Sequence, residues 1–107
     1  DEQSIGEALA KLDKLNLPRG IVVDCSHGNS NKDHNRQGEV ALNVLSQRLA
    51  GNDAIIGIML ESHLYAGRQG LTNGKADQPG VSVTDACIDW HTTAALLATI
   101  HQQMQPA

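Results

Sequence analysis

Two short apolar runs, Gly20-Ile-Val-Val-Asp-Cys25 and Ala54-Ile-Ile-Gly-Ile-Met-Leu60, constrain the fold of this chain more than any other feature. Neither alternates apolar with polar residues, and both are rich in β-branched side chains, the pattern of strands covered on both faces in a parallel sheet. Between them Val40, Ala41, Val44, Leu45 and Leu49 fall at helical steps, which predicts a helix from about 34 to 50, closed by Gly51-Asn52. Strand, helix and strand in that order make a parallel unit joined by a right-handed crossover.

Helices flank this unit. Ile5, Ala8, Leu9, Leu12 and Leu15 form an amphipathic stripe over residues 2–16, ended by Pro18. Asp89 is a candidate N-cap for a last helix in which Ala94, Leu97, Ala98 and His101 recur at helical steps, with Leu96 and Ile100 beside them. Residues 62–84 carry Gly67, Gly70, Asn73-Gly74 and Pro79-Gly80 and no clear period, which predicts a functional loop or a disordered one. The expected class is α/β in the order αβαβα, a single unit over residues 1–107. Two parallel strands alone leave both sheet edges bare, so further strands must come from elsewhere. A (β/α)8 barrel needs about 250 residues, and 107 are under half of that.

The composition narrows the function. Net charge is −4, aromatic residues make up 2%, and there is no basic run, which argues against nucleic acid and anionic lipid surfaces. No apolar run reaches the length of a membrane helix, and Asp1 opens no initiator, signal or transit sequence, so the expectation is a cytoplasmic product cut or built from a longer chain. Cys25 and Cys87 have neither zinc-knuckle spacing nor the density of a disulfide scaffold, and are read as reduced packing residues.

Three residues stand where chemistry gathers in β/α proteins, at or beyond strand ends: His27 in VDCSHGNS, Glu61 in IIGIMLESHL and Asp85 in SVTDACIDW. Strand alternation predicts that Val23, Cys25 and His27 share one face while Asp24 and Ser26 take the other. On the neighbouring strand Met59 and Glu61 form the matching set, joined by His63 if the strand persists. An imidazole and two carboxylates suit Mn, Fe, Co or Zn. The bland readings are a packing histidine and a structural ion pair at a strand end. His34, His91 and His101 are expected at the surface, and His63 beside the ligands rather than among them. Cys25 shares the face of His27 but sits too close along the strand to join it on one ion. Ser26 and His27 make no catalytic dyad if they face opposite ways. Lys32, Arg36, Arg68 and Lys75 are thin cationic provision for phosphorylated substrates.

Taken together, VVDCSHGNSNK, AIIGIMLESHLYAGRQ and SVTDACIDW resemble the last third of type I 3-deoxy-arabino-heptulosonate 7-phosphate (DAHP) synthases, from the first helix to near Met104. The resemblance implies the last two parallel strands and flanking helices of a (β/α)8 TIM barrel. It implies an enzyme that condenses phosphoenolpyruvate with erythrose 4-phosphate, the first step of aromatic amino-acid biosynthesis. It further implies a divalent metal held by a Cys, a His, a Glu and an Asp. His27, Glu61 and Asp85 match three of these, and the Cys lies in an early part of the barrel absent here. Also absent are the basic residues that grip the substrates' phosphates, so the 107 residues alone are expected to be inactive and to hold metal weakly.

Two other classes fit the residues less fully. A self-associating αβαβα module without catalysis would answer the bare sheet edges, and a homo-oligomer is expected on that ground. An unrelated metal-dependent barrel hydrolase would use the same ligand set but leaves the surrounding motifs unexplained.

Overall fold

Helix α1 (Glu2–Lys14) starts where Asp1 caps it, the carboxylate accepting from the Ser4 amide at 2.7 Å. The computed structural model describes residues 1–27 and 33–105. Ile5 and Leu9 of α1 are buried, but the helix stops before the end of its apolar stripe. Leu15 caps it and is exposed, and Asn16 takes a left-handed φ of 57° that turns the chain toward Pro18.

Strand β1 (Ile21–Asp24) pairs in parallel with β2 (Ile55–Met59), with a register shift between Ile21 and Val22. Both are shorter than the apolar runs that encode them. Helix α2 (Gln37–Leu49) connects them, preceded by a single 3-10 turn (His34–Arg36) that Asp33 caps by accepting from the Asn35 amide. The helix therefore begins three residues later than its sequence stripe predicts. Ala41, Val44 and Leu45 of α2 are buried, and Leu49 at its end is exposed. Gly51 follows with φ 116°, a conformation that favours glycine.

Within this chain the two strands are covered on one face, as two strands without further neighbours must be. Val23 and Ile55 pack with Ile5, Leu9 and Val44 in one apolar cluster, so α1 and α2 cover that face of the sheet. Val22 and Ile56 on the other face are 60% and 67% exposed. Two strands with one layer of helices leave the second face open, and no other described segment crosses it. The face assignment changes with it: Val23 and Cys25 point into the helical layer, not toward a barrel interior. Cys25 is fully buried in a second cluster with Ala41 and Leu96.

Helix α3 (Trp90–Met104) begins at Asp89, whose carboxylate accepts from the Thr92 amide at 2.7 Å, as its sequence predicts. Its buried side is Thr93 and Leu96, with Ile100 packed partly behind them. Ala94, Leu97, Ala98 and His101 are exposed, so the helix is rotated away from its expected face. Two of those four residues are alanines that gain little from burial, whereas Leu96 and Ile100 carry the larger apolar area. Thr93 tolerates burial because its hydroxyl donates to the Asp89 carbonyl at 2.8 Å and lies 2.6 Å from Ser62 Oγ.

The segment between β2 and α3 is built, not irregular. Isolated bridges join Ser62 to Ile88, Gly67 to Cys87, Arg68 to Ser82 and Thr72 to Lys75, the last across an Asn73-Gly74 turn with positive φ at both residues. Gln69 is buried at its centre, its amide donating to the carbonyls of Gln78 at 2.6 Å and Val81 at 2.8 Å and accepting from the Gln78 N–H at 3.0 Å. That closed set of bonds does for this loop what a hydrophobic core does for a helix pair.

Candidate metal centre

The carboxyl ends of β1 and β2 and the end of the built loop meet at one point. His27 follows β1 with a left-handed φ of 34°, which breaks the strand alternation and swings the imidazole to the open rim. Its Nε2 lies 2.9 Å from Glu61 Oε1 and 3.0 Å from Asp85 Oδ2. One ligand atom from each of the three residues lies within 4.8 Å of the others. All three side chains singled out in the sequence are thus brought together.

Two neighbours escaped the sequence reading. Asp24 Oδ2 is 2.8 Å from His27 Nδ1, and a carboxylate only accepts, so Nδ1 carries the proton. Ser26 donates from its hydroxyl and from its backbone N–H to Asp24 Oδ1, and Ser26 Oγ lies 3.0 Å from His27 Nδ1. Strand alternation would have separated Asp24 and Ser26 from His27; the turn after Asp24 gathers all three instead. The signal available in sequence was a carboxylate three residues before a strand-end histidine, a spacing that a tight turn closes.

Gln37 is the other. It is the first residue of α2 and has no solvent exposure. Its amide accepts from the Glu61 N–H at 2.7 Å and donates to the Glu61 carbonyl at 3.1 Å. Nothing in a helical period distinguishes this glutamine from a solvent-facing one.

His63 is outside the group: it is exposed, and its Nδ1 accepts from the Leu64 amide at 2.8 Å. The strand ends at Met59, so no i+2 relation carries His63 onto the face of Glu61. His91 and His101 are exposed on α3 as expected, and His34 is half-buried in the turn before α2. Lys32 lies outside the described residues. Cys25 is buried away from the rim, and desolvation pushes its thiol up to about 11.

The electrostatics follow from the crowding of acids. Hydrogen bonding to Asp24 raises the His27 imidazole above its ordinary value against the opposing effect of desolvation, and Asp85 and Glu61 add to the rise. Burial raises Glu61, with the charges of Asp85 and Asp24 adding to it and His27 opposing. Burial also pushes Asp24 upward, but hydrogen bonds from Ser26 and His27 outweigh it and hold the carboxyl low. Among the described residues three carboxylates surround one imidazole. Since a carboxylate only accepts, Nε2, at 2.9 and 3.0 Å from the two remaining carboxylates, donates to them, and with Nδ1–H engaged by Asp24 the loss of that proton leaves a lone pair facing the point that Glu61 and Asp85 share. One nitrogen and two oxygen donors facing a common point fit a divalent first-row ion.

The cleft over these groups has a volume of 420 Å³ and is lined by Ser26, His27, Gln37, Glu61, Arg68, Thr84 and Asp85. Arg68, whose Nε donates to the Thr84 carbonyl at 2.9 Å, is the only Lys or Arg in that lining among the described residues.

The chain is similar to known proteins over most of its length. Residues 2–98 match the model of the DAHP synthetase I family. The chain is 43% identical over 96% of its length to a Tyr-sensitive phospho-2-dehydro-3-deoxyheptonate aldolase of Enterobacter agglomerans, of which it spans 49%. It is 45% identical over 94% of its length to the Tyr-sensitive enzyme of Escherichia coli K12, of which it spans 28%. The solved structure of the Francisella tularensis aldolase superposes on the whole chain with a TM-score of 0.88 at 35% identity, the chain covering 31% of it. The matched region includes the motif residues that a hydrolase reading left unexplained. The chain belongs to the DAHP synthetase I family.

Proposed function

We propose that this chain supplies three ligands, His27, Glu61 and Asp85, to the metal centre of a longer enzyme. That enzyme condenses phosphoenolpyruvate with erythrose 4-phosphate to DAHP and inorganic phosphate. The observation that carries the reading is the convergence of His27 Nε2 on two carboxylates from separate segments, with Nδ1 already occupied by Asp24. Family membership supplies the reaction, since the relatives named above are phospho-2-dehydro-3-deoxyheptonate aldolases.

In this reading the two strands are the last of a (β/α)8 barrel, and residues 1–107 are its C-terminal part. The exposed face carrying Val22 and Ile56 is then the barrel interior, covered by strands from the rest of the protein. At the rim His27, Glu61 and Asp85 would hold a divalent metal, Mn, Fe, Co or Zn, which would supply Lewis-acid polarisation of the aldehyde of erythrose 4-phosphate. Asp24 fixes the imidazole tautomer, Gln37 holds the Glu61 backbone, and the built loop delivers Asp85. Among the described residues Arg68 is the only Lys or Arg lining the cleft, so further basic groups for the two phosphates, and the fourth ligand, come from the remainder of the enzyme. The isolated chain is therefore inactive, because neither substrate is positioned.

The test is direct. The longer protein should form DAHP and retain about one metal per active site by elemental analysis, and Glu61→Gln or Asp85→Asn should lose both. DAHP formation by the purified 107 residues, or full metal retention in both variants, would overturn the assignment.

A further inference from the structure

We infer that Gln37 is a positioning residue for the metal centre, acting on Glu61 through its backbone. The inference rests on the metal reading above. Gln37 is the largest fully buried side chain among the described residues, and it is polar. An apolar residue of similar size would fill that space without the demand for two hydrogen bonds, so burial alone does not account for an amide.

What the amide does is specific. Strand β2 ends at Met59; beyond it the Glu61 N–H donates to the Gln37 amide at 2.7 Å, and the Glu61 carbonyl accepts from that amide at 3.1 Å as well as from the Ile88 N–H at 3.0 Å. Pairing the donor and the acceptor of one residue with a single planar group reproduces a ladder contact beyond the end of the sheet. It restrains the peptide units on both sides of the Glu61 Cα, and so the direction in which the side chain leaves the backbone. The carboxylate then needs only its own rotamer to reach the point it shares with His27 Nε2. Gln37 also opens α2, the helix that follows the His27 turn, so the amide ties the segment bearing one candidate ligand to the residue bearing another.

The alternative is that Gln37 contributes stability alone. Cobalt(II) loading of the full-length protein separates the two. Gln37→Met keeps length and bulk but removes both bonds; Gln37→Glu keeps an acceptor for the Glu61 amide; Leu9→Ala weakens the core under α1, remote from the rim. Positioning predicts cobalt affinity, measured by chelator competition, lowered about tenfold to hundredfold in Gln37→Met. It also predicts a smaller loss in Gln37→Glu, and a changed d–d absorption band in Gln37→Met even at saturating cobalt. Leu9→Ala should lower the melting temperature and leave affinity and spectrum as in the wild type. If Gln37→Met does not fold, the Gln37→Glu affinity decides. Cobalt affinity within twofold of wild type in the Gln37 variants, or an equal loss in Leu9→Ala, would overturn the inference. A wild-type protein that binds no cobalt would overturn the metal reading itself.

Discussion

Asp24 and His27 illustrate how much of the site is settled within four residues. The carboxylate accepts from Nδ1–H with Oδ2 2.8 Å from Nδ1, which leaves Nε2 to face Glu61 and Asp85. Replacing Asp24 by Asn removes the charge and permits the opposite tautomer, so metal affinity of the longer protein should fall about tenfold to hundredfold. Chelator competition measures it, and affinity equal to wild type would count against the tautomer argument. Cys25 gives a prediction of another kind. Its thiol is raised to about 11 by burial against an ordinary value of 9.0. A raised folded-state value means that the unfolded chain ionises first, so the stability this group contributes is intact below about pH 9 and is lost as pH climbs toward 11. Denaturant melts over that window should show a decline that Cys25→Ala reduces. In the folded protein Cys25 should also resist thiol reagents near pH 8, since only the thiolate is nucleophilic. The choice of His27, Glu61 and Asp85 was legible in the sequence because residue type and strand-end position are local properties. Asp24 and Gln37 were not, because their roles depend on a turn and on a contact with a residue far along the chain.

At the scale of elements, the Asp89 cap was read correctly because it is chemical, and helix faces less well because they are statistical. Asp89 caps α3 through a hydrogen bond that the sequence motif encodes, and Asp1 caps α1 in the same way without having been singled out. The Asp89 carboxyl is held low, chiefly by its hydrogen bonds to Thr92. The face of α3 was misjudged, because alanine-rich helices have a weak apolar bias and packing against Cys25 and Ala41 selects the leucine side. The loop before α3 presents the opposite case: no period, yet a defined structure. Gly80 is its sharpest constraint, with φ 86° and space for a Cβ only 2.8 Å from a Tyr65 ring carbon and 3.1 Å from Leu64 Cβ. Its carbonyl also accepts from the Tyr65 amide at 2.8 Å. Gly80→Ala should therefore cost about 1–3 kcal/mol in the loop. Hydrogen exchange should show the Tyr65 and Gln69 amides losing protection while α1 is unchanged. Unaltered protection would mean that the loop is held by other contacts.

The whole molecule is more open than a domain of its length should be. Its radius of gyration is 16.3 Å, against about 13 Å for a compact chain of this size. The excess belongs with the exposed sheet face of Val22 and Ile56 and with a sheet of two strands. Purified by itself, the chain should shield that face against other copies, giving a sedimentation mass above the 11.4 kDa of one chain. Val22→Lys combined with Ile56→Lys should shift it toward the monomer. A monodisperse wild-type monomer would count against this.

The sequence by itself determined the order of elements, the parallel pairing, the three candidate ligands and the family. These follow from residue type, short-range period and motif, all of which are properties of neighbouring positions. Only the tertiary structure decided that Val23 and Cys25 face the helices rather than a barrel interior. It alone decided that His27 leaves its strand to meet Asp24, that Gln37 grips Glu61, and that a loop without periodicity carries Asp85 to the rim. Those outcomes turn on one left-handed residue, of which the Asp24 spacing is the only trace in the sequence, and on hydrogen bonds between distant segments, which leave no pattern in the order of the amino acids.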